Sequence, residues 1–181
     1  MKKTLIILGI IVGVIALAVG IYYLNDYLNQ PTEQEMEEAR EQIEKGFQTP
    51  EKDMPEEHQL DLIEYFPTEM LEFQLQDIIH AMSHQKVKAD KKWGVYMITK
   101  ERIERLLEVA EMNEYKYEWG PIYVDILSRW IEGDFSKAVE DHNAIWELQD
   151  GNVGIAYGLL NPVEEKAYLD YYFNNIEDNQ E

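Results

Sequence analysis

The sequence predicts an all-α protein with three parts: an N-terminal transmembrane helix, an acidic stalk and a compact bundle of about five helices. Three observations carry this reading. An uncharged apolar run fills residues 4–24. Helix-capping residues, and the Gly and Pro that punctuate helices, recur from Pro67 onward. Apolar residues in that region repeat at i, i+3, i+4 and i+7, and clear alternating strand runs are missing.

Residues 4–24 are mostly Ile, Leu, Val, Ala and Gly. A helix of this length rises about 30 Å, the thickness of a bilayer core. Lys2 and Lys3 precede the run, and no base follows until Arg40, so the N-terminus is expected in the cytoplasm and the rest outside. Tyr22, Tyr23 and Tyr27 fall at the outer boundary. The competing reading is a cleaved signal peptide, with Ala16-Leu17-Ala18 as its cleavage site. The apolar run continues through Val19, Ile21 and Leu24, which favours an uncleaved anchor. Gly9, Gly13, Ala16 and Gly20 repeat a small-residue spacing that lets two helices approach, pointing to a homodimer or a membrane partner.

Residues 25–57 read as a stalk rich in Glu and Gln, with Pro31, Pro50 and Pro55. One solvated helix is expected over residues 32–45, opened by a Thr32/Glu35 capping box and stopped by Gly46. Residues 58–175 form the outer domain, which holds all four Trp and nine of the twelve Tyr; residues 176–181 are an acidic tail. Helices are expected over residues 68–84, over 99–112 and from Pro121 to a stop at Gly133. A fourth runs from a Ser136 cap to Gly151, and a last one starts at Asn161-Pro162 and ends near residue 175. Gly94–Ile98 suits a short extended piece, and residues 153–160 suit helix and strand equally.

The chain carries 36 acidic and 16 basic residues, a net charge of -20. That balance excludes nucleic-acid binding by phosphate neutralisation. Cysteine is absent, which excludes disulfides, thiolate metal sites and a cysteine nucleophile. The sequence contains no G-x-S-x-G, P-loop or G-x-G-x-x-G.

Asp77, His80 and His84 share one outward stripe of the 68–84 helix. Two His one turn apart suit a shared Zn²⁺. A zinc-peptidase helix would place Glu directly after the first His, where Ala81 stands. The simpler reading of the stripe is a polar, solvent-facing surface. His142 sits among Ala138, Val139, Ile145 and Trp146; the simpler reading is a hydrogen-bonded core histidine, and the functional alternative is a pH-sensitive element. Asp134, Glu140 and Asp141 read as cap and surface charges. Lys86, Lys88, Lys91 and Lys92 form the sole basic cluster. They suit a helix C-terminus, or contact with an anion. Trp93-Gly94 and Trp119-Gly120 are expected to anchor loops on the core.

A further set of residues carries a resemblance. It comprises the stretch from Asp77-Ile78-Ile79-His80 through Ser83-His84-Gln85-Lys86-Val87, Lys92-Trp93-Gly94, Arg129-Trp130, and Gly133-Asp134-Phe135-Ser136. Asp141-His142-Asn143, Trp146 and Gly158-Leu159-Leu160 complete it. The chain resembles an uncharacterised family, a domain of unknown function, of single-pass membrane proteins from Bacillus-like Gram-positive bacteria. The resemblance covers residues 57–175 and the anchor, and implies an extracytoplasmic domain without assigning an activity. The expected function is a membrane-anchored interaction or sensor domain with an unknown protein partner, without catalysis or cofactor. The alternative is a Zn²⁺-dependent enzyme or metal-binding protein using Asp77, His80 and His84.

Overall fold

A computed structural model describes residues 2–174; the side chains of residues 2–9, 26 and 174 lie outside it. The expected tail at 176–181 therefore falls outside the described residues, as do the side chains of Lys2 and Lys3 and the surroundings of Gly9. Among the described residues the fold is mostly helical, with eight α-helices and one two-stranded sheet. The chain divides into two compact units, Met1–Glu35 and Met36–Glu181.

The first unit is dominated by α1 (Lys2–Leu28). Its described apolar side chains, Ile10 to Leu24, are exposed. Gly13 and Gly20 have open space where a Cβ would stand. Among the described residues no helix is long and apolar enough to cross a membrane. The expected span at 4–24 begins among the residues whose side chains lie outside the description. The Thr32 cap forms as expected: Thr32 N and Oγ1 both donate to Glu35 Oε2, at 2.7 and 2.8 Å.

The second unit starts inside the expected stalk. α2 (Glu33–Gln48) passes Gly46 without stopping and buries Ala39 and Phe47. The Phe47 ring meets Phe135 edge-on at 6.1 Å. Beyond it, Glu51 is buried and accepts from Arg102 Nε at 2.6 Å and Nη2 at 3.1 Å. Residues 36–57 are thus part of the folded domain, which corrects the stalk boundary. The physical reason is that one aromatic and one buried ion pair outweigh the polar composition around them.

α3 (Leu62–Tyr65) and α4 (Glu72–Ser83) follow. The helix expected from residue 68 begins only at Glu72. The carbonyls of Phe66, Thr68 and Met70 instead accept side-chain bonds from Arg105, Asn113 and Tyr117. α5 (Lys100–Asn113) and α6 (Gly120–Ile131) match their expected limits. Thr99 Oγ1 caps α5 by accepting from Arg102 N, and Gly133 takes a φ of +77° after α6. α7 (Ala138–Leu148) starts after Ser136, which does not cap it; Ser136 N donates to Asp134 Oδ1 in a turn. α8 (Pro162–Leu169) opens with the Asn161/Glu164 capping box and runs into a π-helical turn at Asp170–Asn174.

Helix α4 packs on α7, and α5 on α6. Leu75, Ile79, Met82, Ile103, Leu106, Tyr123, Leu127, Trp130 and Ile145 fill the core between them. β1 (Val87–Ala89) pairs antiparallel with β2 (Ala156–Leu159), with Val87 opposite Leu159 and a bulge after Lys88. This sheet settles residues 153–160 partly as strand and adds β structure to a fold expected to be all-α. Gly94–Ile98 forms no strand. The sheet ties the chain just after α4 to the chain just after α7, and so fixes the two segments that carry the candidate site.

Candidate metal centre

His80 and His84 lie one turn apart at the C-terminal end of α4, and His142 comes from the middle of α7. The packing of α4 on α7 brings the three imidazoles together. Their ring centroids are 5.0 Å (80–84), 4.4 Å (80–142) and 5.3 Å (84–142) apart. One ring nitrogen from each lies within 4.8 Å of the others. A tetrahedral zinc ion would hold its nitrogens about 3.4 Å apart, so the rings would draw together to close the set.

His84 and His142 are fully buried and His80 is half-buried. Asp77 is exposed as expected, and the expectation of a solvent-facing stripe is corrected at His84 and in part at His80. The reason is that α7 covers the face of α4 opposite Leu75 and Ile79, so both faces of α4 are packed. Burial of His142 agrees with its place among apolar residues. His58, the fourth imidazole, lies elsewhere and donates from Nε2 to Phe173 O at 2.6 Å.

Hydrogen bonds fix the ring orientations. His84 Nδ1 donates to Gly94 O at 3.0 Å, which leaves its Nε2 as a lone pair. Gln149 Nε2 donates to Asp77 Oδ1 at 2.7 Å, and this sets the direction of the amide. Gln149 Oε1 then accepts from His80 Nδ1 at 2.6 Å, leaving His80 Nε2 as a second lone pair. Asp77 therefore orients a histidine through an amide, which replaces its expected role as a ligand.

His142 has two proton arrangements. Its Nδ1 lies 2.8 Å from Ser83 Oγ and its Nε2 lies 3.1 Å from Gly154 O. Ser83 Oγ is also 2.5 Å from the His80 carbonyl, its shortest contact. If the hydroxyl proton goes to that carbonyl, His142 Nδ1 donates to Oγ and Nε2 carries a lone pair. If it goes to Nδ1, Nε2 donates to Gly154 O. The first arrangement frees a third lone pair for a metal and leaves two acceptors facing each other, a contact that a cation relieves.

The electrostatics keep these rings neutral. Burial pushes His84 down to about 3, assisted by His80, His142 and Lys92. Burial and His80 push His142 down to about 4. Burial also lowers His80, opposed by the Gln149 bond and by Asp77. Neutral imidazole is the form that ligates a metal.

A cavity of about 290 Å³ opens beside the cluster; His80, His84, Asp77, Lys91, Trp93 and Trp146 are among its walls. Its far wall is the loop after α7. Asp150 there has a φ of +53° and Gly154 a φ of +91°. A Cβ on Gly151 would stand 2.3 Å from the Trp146 ring, and one on Gly154 would stand 2.6 Å from Lys91 O. Trp146 Nε1 donates to Val153 O at 2.8 Å and pins the loop.

The remaining expected residues are placed as follows. Lys86 pairs with Glu165 and Lys88 with Glu164 at 2.7 Å. Lys92 donates to His84 O and lies over the Tyr168 ring. The basic cluster is therefore largely engaged within the fold, and of the four only Lys91 is exposed rather than partly buried. Asp141, expected at the surface, is buried, accepting from Arg129 and from Trp130 Nε1. Trp93 and Trp119, expected to anchor loops, expose their indoles.

Residues 79–170 match a protein-family model. The chain belongs to DUF6241, a family of unknown function. The DUF6241 segment contains His80, His84 and His142 together with both strands. It is narrower than the resemblance read over residues 57–175 and leaves out α1. No curated protein and no solved structure matches the chain.

His142 is the residue that sequence reasoning left out of the metal set. It stands 58 residues after His84, and no local spacing links them. The available signal was scarcity: the chain has four His, and two already stood one turn apart.

Proposed function

We propose that this chain is a membrane-anchored, extracytoplasmic domain that binds a divalent transition-metal ion through His80, His84 and His142. The observation that carries the reading is the convergence of three neutral imidazoles whose Nδ1 atoms all face hydrogen-bond partners. Such outer partners fix the ring and tautomer of ligating histidines. Three nitrogen donors with one open position suit Zn²⁺. The proposed ion favours the arrangement in which His142 Nδ1 donates to Ser83 and Nε2 turns from Gly154 to the metal. The anchor rests on the apolar run at 4–24 and the charge asymmetry around it.

Metal analysis of the untagged protein tests the centre. One Zn²⁺ per chain is expected, lost in His142→Ala. A protein that holds no stoichiometric metal, and whose melting temperature Zn²⁺ does not raise, would sink the reading. The anchor is tested separately by alkaline extraction of membranes and by protease access to the C-terminal domain in intact cells. Release at high pH, or protection from external protease, would remove it.

A further inference from the structure

Three imidazole ligands leave the full double charge of a bound ion uncompensated, because neutral His brings no negative charge. They also leave a tetrahedral ion one open position. His80 and His84 line the cavity, whereas His142 is fully buried and is absent from its walls. The open position of an ion held by these three therefore faces the cavity. Two features of the wall describe what would fill it. Lys91 contributes a cation to the wall, and Trp93 and Trp146 contribute two indoles. Asp77 and Asp150 also line the space. Asp77 is already engaged by Gln149, and the ion with Lys91 outweighs the two carboxylates. At about 290 Å³ the cavity lies at the small end of ligand sites, which span roughly 300–1,000 Å³. That is about twice the roughly 150 Å³ that accommodates a benzene ring, room for one ring with its carboxylate.

We propose that the fourth coordination position takes the carboxylate of a small aromatic acid, whose ring lies against Trp93 and Trp146. The inference rests on the metal-binding reading above. The carboxylate supplies the negative charge that the histidines lack, and the indoles cover its apolar body.

The full-length protein loaded with Co²⁺ provides the test, because tetrahedral Co²⁺ has a visible absorption band that responds to each ligand. Benzoate is expected to shift the band and saturate in the low millimolar range, with acetate weaker. Trp93→Ala is expected to weaken benzoate about 3–10-fold and leave acetate unchanged. Lys91→Gln is expected to weaken both. If Co²⁺ binds but benzoate at about 50 mM leaves the band unmoved, the fourth-ligand proposal is overturned and the metal centre stands. If both acids bind equally and Trp93→Ala changes neither, the aromatic part is overturned. If Co²⁺ does not bind at all, the metal-binding reading itself fails.

Discussion

The difference between a ligand and a residue that orients one is measurable at Asp77. Its carboxylate reaches His80 only through Gln149. Asp77→Ala should therefore weaken Zn²⁺ about 10–100-fold, the usual effect of an outer partner. His84→Ala should abolish stoichiometric binding. Equal losses in the two variants, measured by competition with a chromophoric chelator, would make Asp77 a direct ligand. The same histidines set an acid limit on the metal-free fold. Imidazoles of the unfolded chain protonate near 6.5, whereas burial holds His84 at about 3 and His142 at about 4. Between those values the unfolded chain binds more protons than the folded one. The contribution of neutral burial is thus complete above pH 6.5 and is lost as pH falls toward 4 and then 3. Urea midpoints in excess chelator should drop between pH 7 and pH 5; coincident midpoints would contradict the burial.

Among the elements, those with local signals were legible and those made by tertiary contacts were not. Thr99, Pro121, Gly133 and the Asn161/Glu164 box marked α5, α6 and α8, because a cap is satisfied by residues within one turn. The start of α4 was misplaced because the carbonyls of Phe66, Thr68 and Met70 before it bond to side chains of α5 and the chain beyond it, which lie far along the sequence. The strands β1 and β2 are three and four residues long, too short for an alternating pattern to register. The loop after α7 had Gly151 and Gly154 as its only marks. Gly154→Ala places a Cβ 2.6 Å from Lys91 O in a left-handed conformation. It should cost more than about 1 kcal/mol and, by moving the competing Gly154 carbonyl away from His142 Nε2, should leave Zn²⁺ affinity no weaker. Thermal unfolding beside a Zn²⁺ titration reads both effects.

For the whole molecule, composition misled at one boundary. A stretch rich in Glu and Gln reads as solvated, yet a single aromatic and a single ion pair fold residues 36–57 into the domain. Glu51→Ala leaves the Arg102 guanidinium buried without its carboxylate and should destabilise the domain by about 3–5 kcal/mol. A fragment beginning at residue 58 should lose cooperative unfolding, and one beginning at residue 36 should keep it; circular dichroism melts of the two decide where the domain starts. Two of the three converging histidines could be read in the sequence from their spacing, and the third needed the fold. That same separation has a mechanical side. His84 and His142 stand 58 residues apart in sequence, so an ion shared between them ties off a long loop. Closing a loop of that size removes about 4 kcal/mol of freedom from the unfolded chain, in the manner of a covalent cross-link. A chain with no cysteine would thereby carry a removable staple, and how firmly α4 and α7 stay clasped would follow the supply of metal around it.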